Sequence, residues 1–134
     1  MPLTETSVAY EAKTRLSFED AVERCRQALA NEGFGVLTEI DVKATLKKKL
    51  DVDREPYLIL GACHPPSAHR ALTAEPAVGV LLPCNVTVSV EGGGTVVRAM
   101  NPESAMTMIG NPEVGAVARE VGAALRRVVE TVTA

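Results

Sequence analysis

The stretch YLILGACHPPSAHRALTAEPAVGVLLPCNVTVSV, residues 57–90, decides the fold. Two apolar segments that predict strands flank a segment that starts with two prolines and predicts a short helix. Proline suits the first turn of a helix, because the backbone amide that it lacks would have no partner there. The helix is expected to end before Pro76, since the residue preceding a proline is pushed out of the α region. Two of the three cysteines and both histidines lie in this stretch.

The first of the two predicted strands, residues 57–62, is apolar on both faces. Side chains alternate between the two faces of a strand, so two sets of residues can face the core. These sets are Leu58, Leu60 and Ala62, or Tyr57, Ile59 and Cys63. An apolar second face needs a cover, which a dimer contact or a ligand pocket would supply.

The second predicted strand, residues 80–90, has a clearer register. Alternation places Cys84 on the same face as Val86 and Val88, which predicts that Cys84 is a core residue. Pro83 cannot donate a hydrogen bond to a sheet, so it predicts an edge, a bulge or a break at this end of the strand.

The segments on either side continue this alternation of strands and helices. Before residues 57–90 the predicted elements are a strand (4–15), a helix from Ser17 to Gly33, a strand (34–41) and a short helix (42–50). After them come a hairpin turn (91–94), a strand (95–100) and a long helix from Pro112. The order β-α-β-(α)-β-(α)-β-β-α predicts a single α+β domain over residues 1–134. Its sheet is expected to be largely antiparallel and packed against helices.

The composition limits the classes of function. The net charge of -3 argues against nucleic acid and anionic membranes as partners, because binding phosphates requires a clustered positive surplus. No stretch approaches the roughly 20 apolar residues of a membrane span. Three cysteines without a leader segment predict free thiols, so we expect a cytoplasmic protein.

Three groups outside the central stretch receive a structural interpretation. Cys25 falls within the apolar stripe of the first helix and is predicted to be buried. Glu39 and Asp41 share one face of a strand, which is typical of a solvated surface. The lysines of residues 43–49 form the basic cluster of the chain and are expected to cover an exposed helix, with a partner for them left open.

Five motifs, in order and suitably spaced, resemble the domain-of-unknown-function family 302. They are GFGVLTEIDV (33–42), LGACHPP (60–66), AHRAL (68–72), LLPCNV (81–86) and GNPEV (110–114). The resemblance implies a β-α-β4-α fold similar to that of TATA-binding-protein domains, a homodimer, and no established activity. It also implies that Cys63, Cys84 and Asn85 are characteristic residues. His64 and Asn101 depart from the family pattern, which has Asn and Asp there.

The candidate site comprises Cys63, His64 and Cys84, with Asn85 as a further ligand-binding residue. We expect a dimeric binding or accessory module with a ligand pocket near these residues.

The alternative is a thiol- or metal-dependent enzyme or redox protein that uses Cys63. Thiolate and imidazole groups suit Zn²⁺ or Cu⁺, so Cys63, His64 and Cys84 are also the metal candidates. Further groups that could join a site are His69, Met100, Met106 and Met108. A third interpretation makes both cysteines core residues only.

Overall fold

A six-stranded antiparallel sheet organises residues 2–134, which the computed structural model describes. The strands are β1 (Thr4–Glu5), β2 (Ala9–Thr14), β3 (Gly35–Asp41), β4 (Tyr57–Cys63), β5 (Cys84–Glu91) and β6 (Gly94–Met100). The helices are α1 (Phe18–Asn31), α2 (Val42–Leu50), α3 (Pro65–Ala74), α4 (Pro102–Met106) and α5 (Pro112–Thr133). The strands lie in the order β1-β2-β6-β5-β4-β3. The predicted α+β class, with its antiparallel sheet and long C-terminal helix, is confirmed.

Helices α1 and α5 cover one face of the sheet and enclose the core. Ser17 caps α1 by accepting a hydrogen bond from the backbone N–H of Asp20 at 3.1 Å. Asn111 caps α5 in the same way, accepting from the N–H of Glu113 at 3.0 Å. The predicted starts of both helices are therefore confirmed. Cys25 is fully buried in α1, as predicted, and burial raises its pKa to about 12.

The structure shows which face of β4 is turned to the core. Leu58, Leu60 and Ala62 face the core and are buried, so the other apolar face of β4 belongs to the sheet face that α1 and α5 leave uncovered, the helix-free face. Ala62 is paired with Cys84 of β5, which places Cys84 on the helix side as its alternation predicted. Cys63 follows at the end of β4 and is half-buried.

Two predicted strands are shorter than expected. Residues Pro76–Leu81 form a 3₁₀ helix, so the strand predicted for 80–90 begins only at Cys84. Pro76 favours the start of a helical turn and Pro83 has no N–H for a sheet, which explains the break. The strand predicted for 4–15 is divided by a turn, in which the Thr6 hydroxyl oxygen accepts from the backbone N–H of Ala9 at 2.9 Å.

The helix-free face of the sheet is polar at one end and apolar at the other. At the polar end Arg98 pairs with Glu11 and Glu91, and Ser89 donates to Glu91 at 2.7 Å. The Arg98 guanidinium, followed by Ser89, lowers the pKa of Glu91 to about 2. Towards β3 this face carries the paired apolar side chains of Ile59 and Ile40, and Ile40 is exposed.

The acidic and basic groups around α2 have structural roles. Glu39 pairs with Arg26 of α1, and Asp41 caps α2 by accepting from the N–H of Ala44 at 2.9 Å. Lys47 contacts Asp51 and Asp53, so this lysine of the basic cluster is locally neutralised. Within residues 2–134 no helix combines the length and apolar character needed to cross a membrane.

Candidate functional site

A cavity of about 300 Å³ opens where β4 and β5 meet α3 and α5. The strands contribute Ala62, Cys63 and Cys84, and the wall opposite is formed by small or branched side chains of the helices. The lining is almost wholly apolar. The remaining lining residues are Phe34, Leu37, His64, Ser67, Ala68, Ala71, Leu72, Leu82, Pro83, Met106, Val117, Ala118 and Val121.

Both central cysteines line this cavity, but their environments differ. Cys84 is 4% exposed, and burial, with a smaller effect from the nearby Cys63, raises its pKa to about 11. Cys63 is half-buried at the end of β4. Both are free thiols. The thiol of Cys84 is therefore protonated at neutral pH and behaves as an apolar wall group, whereas Cys63 is the thiol that solvent can reach.

His64 forms part of the wall and also caps α3. Its Nδ1 atom lies 2.7 Å from the Ser67 hydroxyl and accepts from the backbone N–H of Ser67 at 3.4 Å. Its ring packs on Phe34 with centroids 5.3 Å apart. A Cβ atom at Gly33 would lie 3.2 Å from both Cδ2 and Nε2 of the ring, so a glycine there allows the imidazole to approach the turn after α1. These contacts fix the imidazole at the cavity wall.

A smaller polar cleft of about 160 Å³ lies on the other side of His64. Here Arg127 of α5 forms two hydrogen bonds to Glu32, at 3.1 and 2.9 Å, which lower the pKa of the Glu32 carboxyl. Glu120 accepts from Arg70 at 2.7 Å. The cleft is lined by Glu32, Phe34, His64, Ser67, Glu120, Val121, Ala124 and Arg127.

The structure brings together three of the four predicted site residues. Cys63, His64 and Cys84 all line the cavity, but Asn85 lies on the opposite face of β5 and is exposed. Of the additional candidates only Met106 lines the cavity, because His69 and Met108 are exposed elsewhere. Met100 lies on the helix-free face, opposite Ala9 of β2.

The arrangement favours binding over metal ligation. Across residues 2–134 no group of three or more His, Cys, Asp and Glu side chains is arranged to hold a metal ion. An apolar wall with few polar groups is typical of a pocket for a small organic molecule.

Sequence reasoning missed Ser67 and most of the apolar wall. The spacing His64-x-x-Ser67 repeats the three-residue step of a capping box, and this signal could have indicated the pair. Phe34 and Leu37 carry no local signal that would assign them to a site. They reach the cavity only because β3 pairs with β4.

Comparisons with known proteins give one family. The model of the domain of unknown function DUF302 matches residues 10–132. The fold is similar to the crystal structure of an uncharacterized conserved protein, DUF302, from Bacillus stearothermophilus, with 29% sequence identity and a TM-score of 0.86. That similarity covers 92% of this chain and 96% of the other. No curated protein matches the chain.

Proposed function

The chain belongs to the family of domains of unknown function DUF302, and we propose that it is a binding module that takes up a small apolar molecule beside Cys63, His64 and Cys84. The observation that carries the proposal is the apolar cavity of about 300 Å³ lined by these residues. Apolar cavities exclude water and gain free energy by enclosing apolar ligands. Known ligand pockets begin at about this volume.

The cavity volume sets the size of the ligand. An apolar cavity of about 150 Å³ can enclose benzene. A cavity of about 300 Å³ therefore suits a molecule of roughly ten non-hydrogen atoms. Burial of such a molecule is worth on the order of 25 cal/mol per Å² of apolar surface, which corresponds to micromolar to millimolar dissociation constants for a ligand of this size.

We also propose that the module is a cytoplasmic homodimer. Its three free thiols are typical of a cytoplasmic protein. The support for the homodimer is the apolar end of the helix-free face, where Ile40 is exposed, together with Leu50 and Val52, which are exposed at the end of α2 and just after it. Exposed apolar patches commonly mark interfaces. Sedimentation at micromolar concentration should give twice the chain mass of 14.2 kDa, and a mass near that of one chain would contradict the dimer.

A thiol-dependent enzyme or redox protein is the second candidate, favoured by the half-buried position of Cys63 in the cavity wall. Alkylation distinguishes the thiols. At neutral pH we expect iodoacetamide to modify Cys63 alone, because Cys25 and Cys84 are buried and their pKa values are raised to about 12 and about 11. Mass spectrometry of the digested protein identifies the labelled residue.

The same reaction tests the binding module. A saturating small apolar molecule such as propylbenzene is expected to slow the alkylation of Cys63 severalfold by occupying the space beside it. Cys63→Ser is the matched control and should abolish labelling. If Cys63 were unreactive, the thiol-dependent candidate would be excluded. If its rate were the same with and without the saturating ligand, the ligand would not bind beside Cys63.

A further inference from the structure

The apolar cavity and the polar cleft meet at one wall, which has a single polar ring. Four residues line both spaces: Phe34, His64, Ser67 and Val121. Phe34 and Val121 are apolar, and Ser67 is buried against His64. His64 is therefore the group through which a molecule in the cavity can make a polar contact at this wall.

Ser67 determines which nitrogen of His64 carries the proton. A backbone N–H can only donate, so the hydrogen bond from the Ser67 N–H requires Nδ1 to be an acceptor. In the neutral imidazole one nitrogen accepts and the other carries hydrogen. The proton of the neutral ring is therefore on Nε2, and the Ser67 hydroxyl, at 2.7 Å, reinforces this tautomer.

The Nε2–H group is available to a ligand. Among residues 2–134, Nε2 has no hydrogen-bond partner, and it lies close to Gly33, where a Cβ atom would be only 3.2 Å away. A ligand that carries a hydrogen-bond acceptor can pair with this N–H. A ligand without an acceptor would cover the N–H and leave it unpaired, which costs free energy.

The charges of the cleft are already compensated. Glu32 is held by Arg127, and Glu120 is held by Arg70. A charged ligand group would therefore lose its hydration, and it would find no unpaired side chain of opposite charge among these residues. A carboxylate would also lie beside Glu32 and Glu120, which line the cleft.

We propose that the ligand carries one uncharged oxygen, a carbonyl or a hydroxyl, which accepts a hydrogen bond from Nε2–H of His64 while the apolar body fills the cavity. This inference rests on the proposed function and defines its ligand class. His64 gives selectivity for the oxygen, and Ser67 is a positioning residue that fixes the tautomer.

Four probes with one carbon skeleton test the proposal by calorimetric titration of the whole protein. They are propylbenzene, propiophenone, 3-phenylpropanoate and 3-phenylpropylamine. Propiophenone is expected to bind about fivefold to tenfold more tightly than propylbenzene, as one added hydrogen bond allows. The anion and the amine are expected to bind at least about tenfold more weakly than the ketone.

Two variants locate the effect. His64→Phe keeps a ring in the wall but removes the N–H, so on this variant the dissociation constants of the ketone and of propylbenzene should become equal. Ser67→Ala keeps the backbone N–H but removes the hydroxyl that reinforces the tautomer, so the ratio of the two dissociation constants should fall in part. His69→Phe, on the exposed side of α3, is the control and should behave as the unsubstituted protein.

The outcomes separate this inference from the function on which it rests. Equal binding of ketone and hydrocarbon, or tightest binding of the anion or the amine, would overturn the inference and leave the apolar pocket intact. Binding of none of the four probes would overturn both.

Discussion

Replacing Ala68 with phenylalanine is expected to weaken the binding of small apolar molecules strongly. Ala68 lies in the second turn of α3, half-buried, and lines the cavity. A phenyl ring added there would fill roughly half of the 300 Å³ space, because benzene occupies an apolar cavity of about 150 Å³. The loss should be about 2 kcal/mol or more of binding free energy, roughly thirtyfold in the dissociation constant for propylbenzene, measured by calorimetry.

A matched variant controls for the added ring. Ala116 of α5 is also a half-buried helical alanine, but it lines neither the cavity nor the cleft. Ala116→Phe should bind propylbenzene like the unsubstituted protein. Urea unfolding of both variants verifies that each is folded. Undiminished binding by folded Ala68→Phe would show that the ligand lies elsewhere.

Leu60→Ala is expected to cause the largest loss of stability among single changes in the sheet. Leu60 is fully buried in the centre of β4, where it faces the helices. Truncation leaves a hole that the rigid sheet cannot close, which costs about 3 kcal/mol. The measurement is urea unfolding at a fixed protein concentration, with a lower midpoint and an unchanged slope.

The neighbouring Ile59 provides the comparison, because it lies on the helix-free face and is only partly buried. Ile59→Ala removes a similar amount of side chain and should cost about 1 kcal/mol. A larger cost for Ile59→Ala than for Leu60→Ala would mean that the face of β4 assigned to the core is wrong.

Most of the fold follows from local signals in the sequence. The caps at Ser17 and Asn111 and the two-residue turn at Gly92 and Gly93 depend on neighbouring residues, so their elements were predictable. The face of β4 was not, because both of its faces are apolar. Only the position of the helices, a tertiary property, selects Leu60 over Ile59 for the core.

The site was predictable in part for the same reason. Cys63, His64 and Cys84 are close together because β4 and β5 are antiparallel neighbours. The sequence placed a cysteine at one end of each strand, but their spacing along the chain does not give the distance between them. Asn85 accompanies Cys84 in sequence, but alternation along the strand turns it to the opposite face. The volume of the cavity depends on how closely α3 and α5 approach the sheet, and no local pattern encodes that distance.

Binding of a small apolar molecule in the space between β4, β5, α3 and α5 can be tested directly. The most direct measurement is a methyl-resolved NMR titration of the protein with propylbenzene. We expect saturable shifts of the methyl groups that line the cavity: Leu37, Leu72, Leu82, Val117 and Val121. Shifts confined to exposed residues such as Leu50 and Val52, or no shifts at saturating probe, would contradict it.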